Sequence, residues 1–599
     1  MVGFFAELKR RHIYRVAAAY AVVAWVLIQL VSNVSPMLRL PDWAGTFVLV
    51  LLFVGFPVAL LFAWIHQLAP ESGALAHVTT GKLDWFLAGA LVVVIALVSY
   101  QQFAPVPART AQQQAGVTAA RTASAAQAGI SIVVLPFENL SGDAAQEFFS
   151  DGITEEITAA LAKVPDLRVV ARTSAFQFKV QNRDIQSIGP QLHATHYIEG
   201  SVRKAGTRVS ITAQLIKTDD GTHVWTENYD RELTDVFATQ EDIATAIAGA
   251  LRVPLGLKPG ENLISDRSID PESYQQYLHG KALDRGRGLQ GLTEAATLLE
   301  QVVARNPGYA PAWAKLSQVY GHWAALPPVQ AREDFRQFVD SVMPKADAAA
   351  QRAIQLDPNL AEGYFSLAEV QMTRSKLLAA DELFSKALAL DPYNPEVMGG
   401  YANMLAGVGR VKDSVAMWQR LLDVDPFVPG YNGGAAMSRW VNGQTDDAIA
   451  VLKPLQGGPV ARWLAMIYAS MGRYGEAADL LHAYGGAPPQ IVAEAERLLR
   501  LAPAKVSFPQ SLPRLEVLNF AYLYVGASSR VLDRYERLQE SGYQIPFVTA
   551  WLWHPSYAPV RKTERFKAFA RDSGLVEYWR AKGWPEWCHP TTGDDFECE

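Results

Sequence analysis

Apolar residues are spread along this chain in three different ways, and each way predicts a different kind of structure. Up to residue 103 they form unbroken runs, Val16–Val34, Ala44–Ile65 and roughly Trp85–Phe103. A helix needs about 20 apolar residues to cross a bilayer, so the runs predict three transmembrane helices over residues 1–103. A cleaved leader would show one short apolar core and then stop, whereas these runs repeat. Trp25, Trp43, Trp64, Trp85 and Tyr100 stand at or near the run ends, where interfacial aromatics collect. Residues 104–129 are rich in Ala, Gln, Thr and Ser, with almost no large apolar side chain, and read as a flexible linker.

From Ile130 the apolar runs shorten. ISIVVLPF predicts a buried strand ended by Pro136, and Phe148–Val164 has helical spacing, with Asp143 and Gln146 as a capping box just upstream. Leu167–Arg172 predicts a second strand and Asp184–His193 a second helix. Three β-rich runs follow, joined at Lys204-Ala205-Gly206 and at Asp219-Asp220-Gly221, and a helix at Asp235–Leu251 closes the unit. The order β-α-β-α-β-β-β-α predicts a small α/β domain with a mixed sheet over residues 130–255.

Beyond Gln276 the period turns helical and a ladder of prolines appears. Asp357-Pro358, Asp391-Pro392 and Asp425-Pro426 are 34 residues apart, and Asn306-Pro307 precedes the first by 51. A 34-residue period with helical filling predicts stacked helix hairpins, none able to bury its apolar face alone. Tyr364, Leu367, Ala368, Ala380, Phe384 and Ala387 sit at the same offsets in one unit as Met398, Tyr401, Ala402, Ser414, Trp418 and Leu421 in the next. An insertion falls near Leu326–Met343, a later hairpin at Ala461–Tyr484, and a degenerate one at Arg514–Ser541. The aromatic-rich end, 546–599, is expected to pack on the last hairpin as a cap.

Two resemblances accompany these patterns. The 34-residue units look like tetratricopeptide repeats, which places an array over 270–545. ISIVVLPFENLSGD, FFSDGITEEITAAL, VPDLRVVARTSAF, YIEGSVRKAGTRVSITAQLI and GTHVWTENYDREL resemble the TolB amino-terminal-like domain of bacterial envelope proteins. That resemblance implies a domain outside the cytoplasmic membrane that acts as an interaction module and not as a catalyst. Some relatives carry a cyclase or winged-helix domain ahead of the membrane segment. Here about fifteen residues precede the first apolar run, so neither role is carried over. The fold class expected is multi-domain: transmembrane helices, a small α/β domain with a mixed sheet, then an all-α tetratricopeptide solenoid.

Charge adds sidedness. Lys9, Arg10, Arg11 and Arg15 precede the first run, against Arg39 after it and Lys82 before the third. The positive-inside rule then puts the N-terminus in the cytoplasm, and three crossings deliver the bulk of the chain to the periplasm of a bacterial inner membrane. If the third run, with Asp84 at its lip, lay along the surface instead, the bulk would be cytoplasmic. A net charge of −6 and a pI near 6.1 give no basic stripe for nucleic acid.

Candidate chemistry is sparse. Phosphate-binding loops, H-E-x-x-H, G-x-S-x-G and EF-hand patterns are all missing from the sequence. Asp151, Glu155 and Glu156 read as first-turn acids at a helix N-terminus rather than as an acid/base pair, and Asp219-Asp220-Gly221 as a hairpin turn rather than as part of a cation site. Cys588 and Cys598 are expected to form a disulfide if the far side is oxidising; with His589 they are alternatively three ligands of a metal. No catalytic residue, resident metal or cofactor is expected. The expected function is a membrane-anchored scaffold for protein or peptide partners of the cell envelope. The alternative is a receptor that senses a ligand outside and transmits to a cytoplasmic partner.

In tetratricopeptide arrays the first helix of each hairpin lines the concave face. Side chains there that point away from the packing offsets are Glu362, Phe365, Glu369, Met372, Glu396, Asn403, Met437 and Trp440. Carboxylates beside exposed apolar anchors suit a peptide carrying basic and apolar groups. The competing reading is that Phe365 and Trp440 fill space between hairpins.

Overall fold

One strand anchors the α/β domain. In a computed structural model of the chain, Ile132, Val133 and Val134 of β1 (Ile130–Val134) are sealed from solvent, as an all-apolar run in parallel pairing requires. β1 lies between β3 (Leu167–Val169) and β4 (His196–Ala205) and runs parallel to both. β5 (Arg208–Lys217) and β6 (His223–Glu232) add antiparallel to β4, giving the order β3-β1-β4-β5-β6, with the two-residue β2 (Glu138–Asn139) also on β4. Gly206 and Gly221 turn the two hairpins at φ +62° and +71°, values that a side chain would strain.

The helices Glu147–Leu161 and Val236–Ala250 bury Ile153, Ile157, Ile243 and Ile247 in one cluster with Val202, Ile211 and Leu215. Val133, Tyr197 and Ile216 join Phe178 and Leu192 in a second, smaller cluster. The second predicted strand ends at Val169 because Arg172–Ala175 turns into a short helix. Only half of the expected capping box forms. Asp143 accepts from the Ala145 N–H at 2.9 Å, while Gln146 accepts from Lys204 Nζ at 3.4 Å and does not reach back.

The residues described are 130–179, 188–253, 269–286, 288–325, 335–455, 457–507, 509–543 and 549–599, together with 24, 52, 55 and 56. The chain divides into two compact units, Met1–Ala120 and Arg121–Glu599, and all but those four isolated residues fall in the second. The expected spans Val16–Val34, Ala44–Ile65 and Trp85–Phe103 and the linker 104–129 lie outside the described residues. Among the described residues no helix is long and apolar enough to cross a membrane.

Six helix hairpins are described in the array. Their first and second helices are Pro271–Arg285 and Leu289–Arg305, Ala310–Ala325 and Phe335–Leu356, and Ala361–Thr373 and Leu377–Leu390. They continue with Pro395–Gly407 and Val411–Val424, Pro429–Val441 and Thr445–Leu452, and Gly458–Ser470 and Tyr474–His482. The proline ladder explains the period. At each rung the Asn or Asp N–H closes the last helical turn, Asn306 to Val302, Asp357 to Ala353, Asp391 to Ala387 and Asp425 to Leu421. The proline that follows has no N–H to continue the helix.

Inside the hairpins Ala380, Phe384, Ala387 and Leu421 are fully buried, so the small residues do let paired helices approach. The insertion of the second hairpin is helical from Phe335 onward, with Pro344 inside the helix; residues 326–334 lie outside the described residues. The degenerate unit is a 3-10 run, Glu516–Val525, followed by the helix Leu532–Glu540. A helix the pattern did not predict, Pro489–Leu501, comes before it.

Among the described residues the α/β domain meets the array at the first and at the fourth hairpin. At the first hairpin, Phe149 and Ile153 share one apolar cluster with Tyr274, Tyr277 and Leu278. A Cβ at Gly152 would stand 2.8 Å from the Leu278 side chain, so only glycine allows the helices this close. At the fourth hairpin the Thr173 and Ser174 hydroxyls donate to the buried Asp425 carboxylate. There the Phe427 N–H donates to Ser174 Oγ at 3.1 Å, and the Ala171 N–H to Val424 O at 3.2 Å.

Asp151, Glu155 and Glu156 are not first-turn acids. Their helix begins at Glu147, and they face cations from other elements. Asp151 pairs with Lys179; Glu155 meets Lys281 and Arg285 at 2.8 Å and Arg172 at 3.2 Å; Glu156 meets Lys281 at 2.9 Å. Burial works against the Glu155 charge, but Lys281, Arg285 and Arg172 outweigh it and hold the carboxyl well below its usual range. Replacing Glu155 by Gln takes the shared carboxylate from Arg172, Arg285 and Lys281 and leaves only Lys281 with a second one, Glu156. It should cost about 3 kcal/mol in denaturant unfolding, whereas a cost within about 0.5 kcal/mol would mean that the cluster is solvated and contributes little.

Candidate protein interaction site

A helix ends with carbonyls that have no intrahelical partner, and in the fourth hairpin the C-terminal tail supplies the missing donors. Trp553 Nε1 and Thr549 Oγ1 both donate to Gly407 O, at 3.0 and 3.1 Å, and Trp579 Nε1 donates to Val408 O at 2.8 Å. Gly409 follows at φ +87°, where a Cβ would stand 2.7 Å from Pro585. One hairpin on, His554 stacks on Trp440 with ring centroids 4.0 Å apart. One hairpin earlier, Asp381 accepts from Tyr401 at 2.8 Å and Tyr578 at 3.3 Å and pairs with Lys582 at 2.7 Å. In the sixth hairpin the Arg462 guanidinium lies 5.0 Å from the Trp551 ring centroid.

The expected end cap is therefore a strap. Residues 549–599 run back over the third to sixth hairpins, largely on the face presented by the first helices. A hairpin of β7 (Cys588–Pro590) and β8 (Phe596–Cys598) closes the strap, with Cys588 disulfide-bonded to Cys598 and Phe596 buried beside Trp579 and Trp584. Both sulfurs are committed to that bond, which removes the alternative metal set with His589.

The eight groove residues separate by chemistry. Phe365 and Met372 are buried inside the array. A Cβ at Gly400, on the next first helix, would stand 3.0 Å from the Phe365 ring and from Glu369 Oε1. Met437 is buried and, with Asn403, Trp463, Ala550 and Trp551, lines a cavity of about 30 Å³, room for a water or two and not for a peptide. Trp440 is 1% exposed and donates to Ser470 Oγ at 3.2 Å. Glu362 and Glu396 are exposed, and Glu369 and Asn403 half-buried.

The reading of exposed apolar anchors beside carboxylates is thus corrected. All four apolar side chains are covered, Phe365 by the neighbouring hairpin and Met437 and Trp440 by the chain's own tail. The signal for this was present in the sequence. Trp551, Trp553, Trp579, Trp584 and Trp587 are a third of the chain's 15 tryptophans, far more apolar surface than one end hairpin can cover.

No family model matches the chain. A curated protein of Rhizobium meliloti (strain 1021), named putative adenylate cyclase 3, is 38% identical over 243 residues, which are 40% of this chain and 39% of that protein. The chain thus spans about two fifths of the length of the curated relative it matches. Among solved structures, a thermophilic TPR protein of Thermus thermophilus is 15% identical over 38% of this chain and 99% of its own, with a TM-score of 0.24. PilW, a type IV pilus biogenesis factor, is 18% identical over 36% of this chain and 92% of its own, with a TM-score of 0.29. Yeast Tom70 is 15% identical over 53% of this chain and 66% of its own, also with a TM-score of 0.29. The 34-residue period and the packing of the hairpins define the class: a tetratricopeptide-type array joined to a small mixed α/β domain.

The strap makes two measurable claims. Trp440→Ala should cost about 3–5 kcal/mol, as loss of a fully buried aromatic does, while Glu396→Ala on the exposed rim should stay within about 0.5 kcal/mol. Equal, small effects in denaturant unfolding would mean that the strap does not cover Trp440.

Burial first, then the Arg561 charge, depresses the His554 imidazole from 6.5 to about 3. The folded state keeps His554 neutral while the unfolded chain takes up a proton, so its contribution is complete above pH 6.5 and declines as pH falls. Between pH 6.5 and 4.5 the expected loss is about 2–3 kcal/mol. His196, also depressed by burial, acts in the same sense. His554→Asn should flatten the pH profile in that window, and an unchanged slope would show the imidazole to be solvated.

Proposed function

We propose that the chain is a membrane-anchored scaffold whose folded part lies outside the cytoplasm and gathers protein or peptide partners of the cell envelope. The observation that carries this reading is the array itself, a stack of interaction-type hairpins locked to a second domain at two separate places. The resemblance of Ile130–Leu251 to TolB amino-terminal-like domains supports an envelope role for that part. A closed disulfide suits an oxidising compartment, and the Lys/Arg excess before the first apolar run gives the same sidedness. Catalysis, a cofactor and nucleic acid play no part in this proposal. The tail already covers much of the inner face of the third to sixth hairpins, so a partner is received at the first to third hairpins, where Glu362 is exposed.

A second reading has one specific observation in its favour, the similarity to a protein named for adenylate cyclase activity over two fifths of its length. In that reading the folded part senses a ligand and passes the change to a cyclase.

Alkaline phosphatase fused after Glu599 in the full-length chain should be active, and crosslinking in intact cells should capture envelope proteins. An inactive fusion, with a cytoplasmic reporter active at the same point, would overturn the placement. Capture of a cyclase alone would replace the scaffold by the receptor.

A further inference from the structure

The sheet of the α/β domain ends on an open edge. Among the described residues β6 pairs with β5 alone, so alternate N–H and C=O groups along it point away from the sheet without a strand to meet them. Thr226, Glu227, Asn228, Asp230, Arg231 and Glu232 are exposed, and only Tyr229 in this stretch is buried. Charges on such an edge oppose pairing with most strands. The order of these charges favours one.

Glu227 and Arg231 flank Tyr229 on one face of the strand, about 13 Å from each other along it, too far to pair. Their register partners on β5, Ala213 and Val209, carry no charge. Glu227 accepts from the Tyr229 hydroxyl at 2.9 Å, and Arg231 donates to the Asp230 carbonyl at 3.5 Å, with no carboxylate paired to it among the described residues. On the other face Asn228 accepts from Thr212 Oγ1 at 3.1 Å through its Oδ1, which leaves its amide N–H groups to donate elsewhere. Asp230 meets Arg208 at 2.8 Å through one oxygen, and the second oxygen can accept as well.

An antiparallel strand added to this edge sets residues of the same face opposite each other. If that strand is β6 of a second copy, a two-fold axis passes through one residue. An axis at Glu227 or at Asp230 opposes like carboxylates. An axis at Asn228 sets Glu232 against Val224 and Arg231 against Trp225. An axis at Tyr229 gives every acid of the stretch a donor on the second copy: Glu227 meets Arg231, Asp230 meets Asn228 and Glu232 meets Thr226, each pair occurring twice. We propose that β6 is a homotypic docking edge, through which two copies of this chain join their sheets antiparallel about Tyr229. The pairing goes beyond the scaffold reading and stands if that reading fails, because no hairpin of the array takes part in it.

The test uses cells producing two full-length forms under different tags, Glu227→Cys and Arg231→Cys, lysed and oxidised with copper phenanthroline. Cys588 and Cys598 are bonded to each other and stay out of the reaction. Cβ atoms opposite each other in such a ladder are about 5 Å apart, whereas in either form alone the new cysteines of the two copies stand about 13 Å apart or more. The mixture should therefore give about tenfold more disulfide dimer than either form alone. Equal yields in all three, no dimer in the mixture, or a disulfide to a different protein would overturn the pairing, and efficient crosslinking of Asn228→Cys with itself would overturn the register. In sedimentation of the purified full-length protein, Glu227→Arg should weaken the dimer, and adding Arg231→Glu should restore it. A dimer indifferent to the single reversal would also overturn the proposal.

Discussion

A helix hairpin cannot bury both of its faces by itself, and the architecture of this protein follows from covering what each hairpin leaves open. Neighbouring hairpins cover most of it, as Gly400 and its helix do for Phe365. Among the described residues no hairpin precedes the first, and the α/β domain takes that place by setting Phe149 and Ile153 against Tyr274 and Leu278. The inner face of the later hairpins is covered by the tail, whose indole N–H groups also satisfy the carbonyls that end the helix Pro395–Gly407.

These coverings divide the surface into parts that are structural and parts that are open. The half-buried charges around Glu155 and the hydroxyl contacts at Asp425 fix the α/β domain at the first and fourth hairpins together. Between those points the array has little freedom to slide past the domain. Trp440, Met437 and Phe365 belong to the structural part, and the exposed Glu362 and Glu396 to the open part. A hairpin stack built this way keeps Glu362 and Glu396 exposed while its own tail covers Met437 and Trp440.

The similarity to a protein named for adenylate cyclase covers 39% of that relative, so the shared part is one portion of a larger protein.

Local periodicity was enough for much of the fold. Strands of alternating or unbroken apolar residues, the glycine turns at 206 and 221 and the 34-residue proline ladder are short-range facts, because each is written in the residue types and spacing of one element or one turn. The paired cysteines were legible for the same reason, lying ten residues apart. Three things were not legible. Asp151, Glu155 and Glu156 have cationic partners on other elements, up to 130 residues away, so their spacing alone suggested a helix start. The groove residues had the right offsets for an exposed face, but an offset does not reveal that a segment about a hundred residues further on lies over it. The tail's tryptophans announced a large apolar surface without naming where it would be buried. Which faces meet is decided only when the chain closes on itself, because burial is a property of pairs of surfaces, whereas the sequence determines each surface singly.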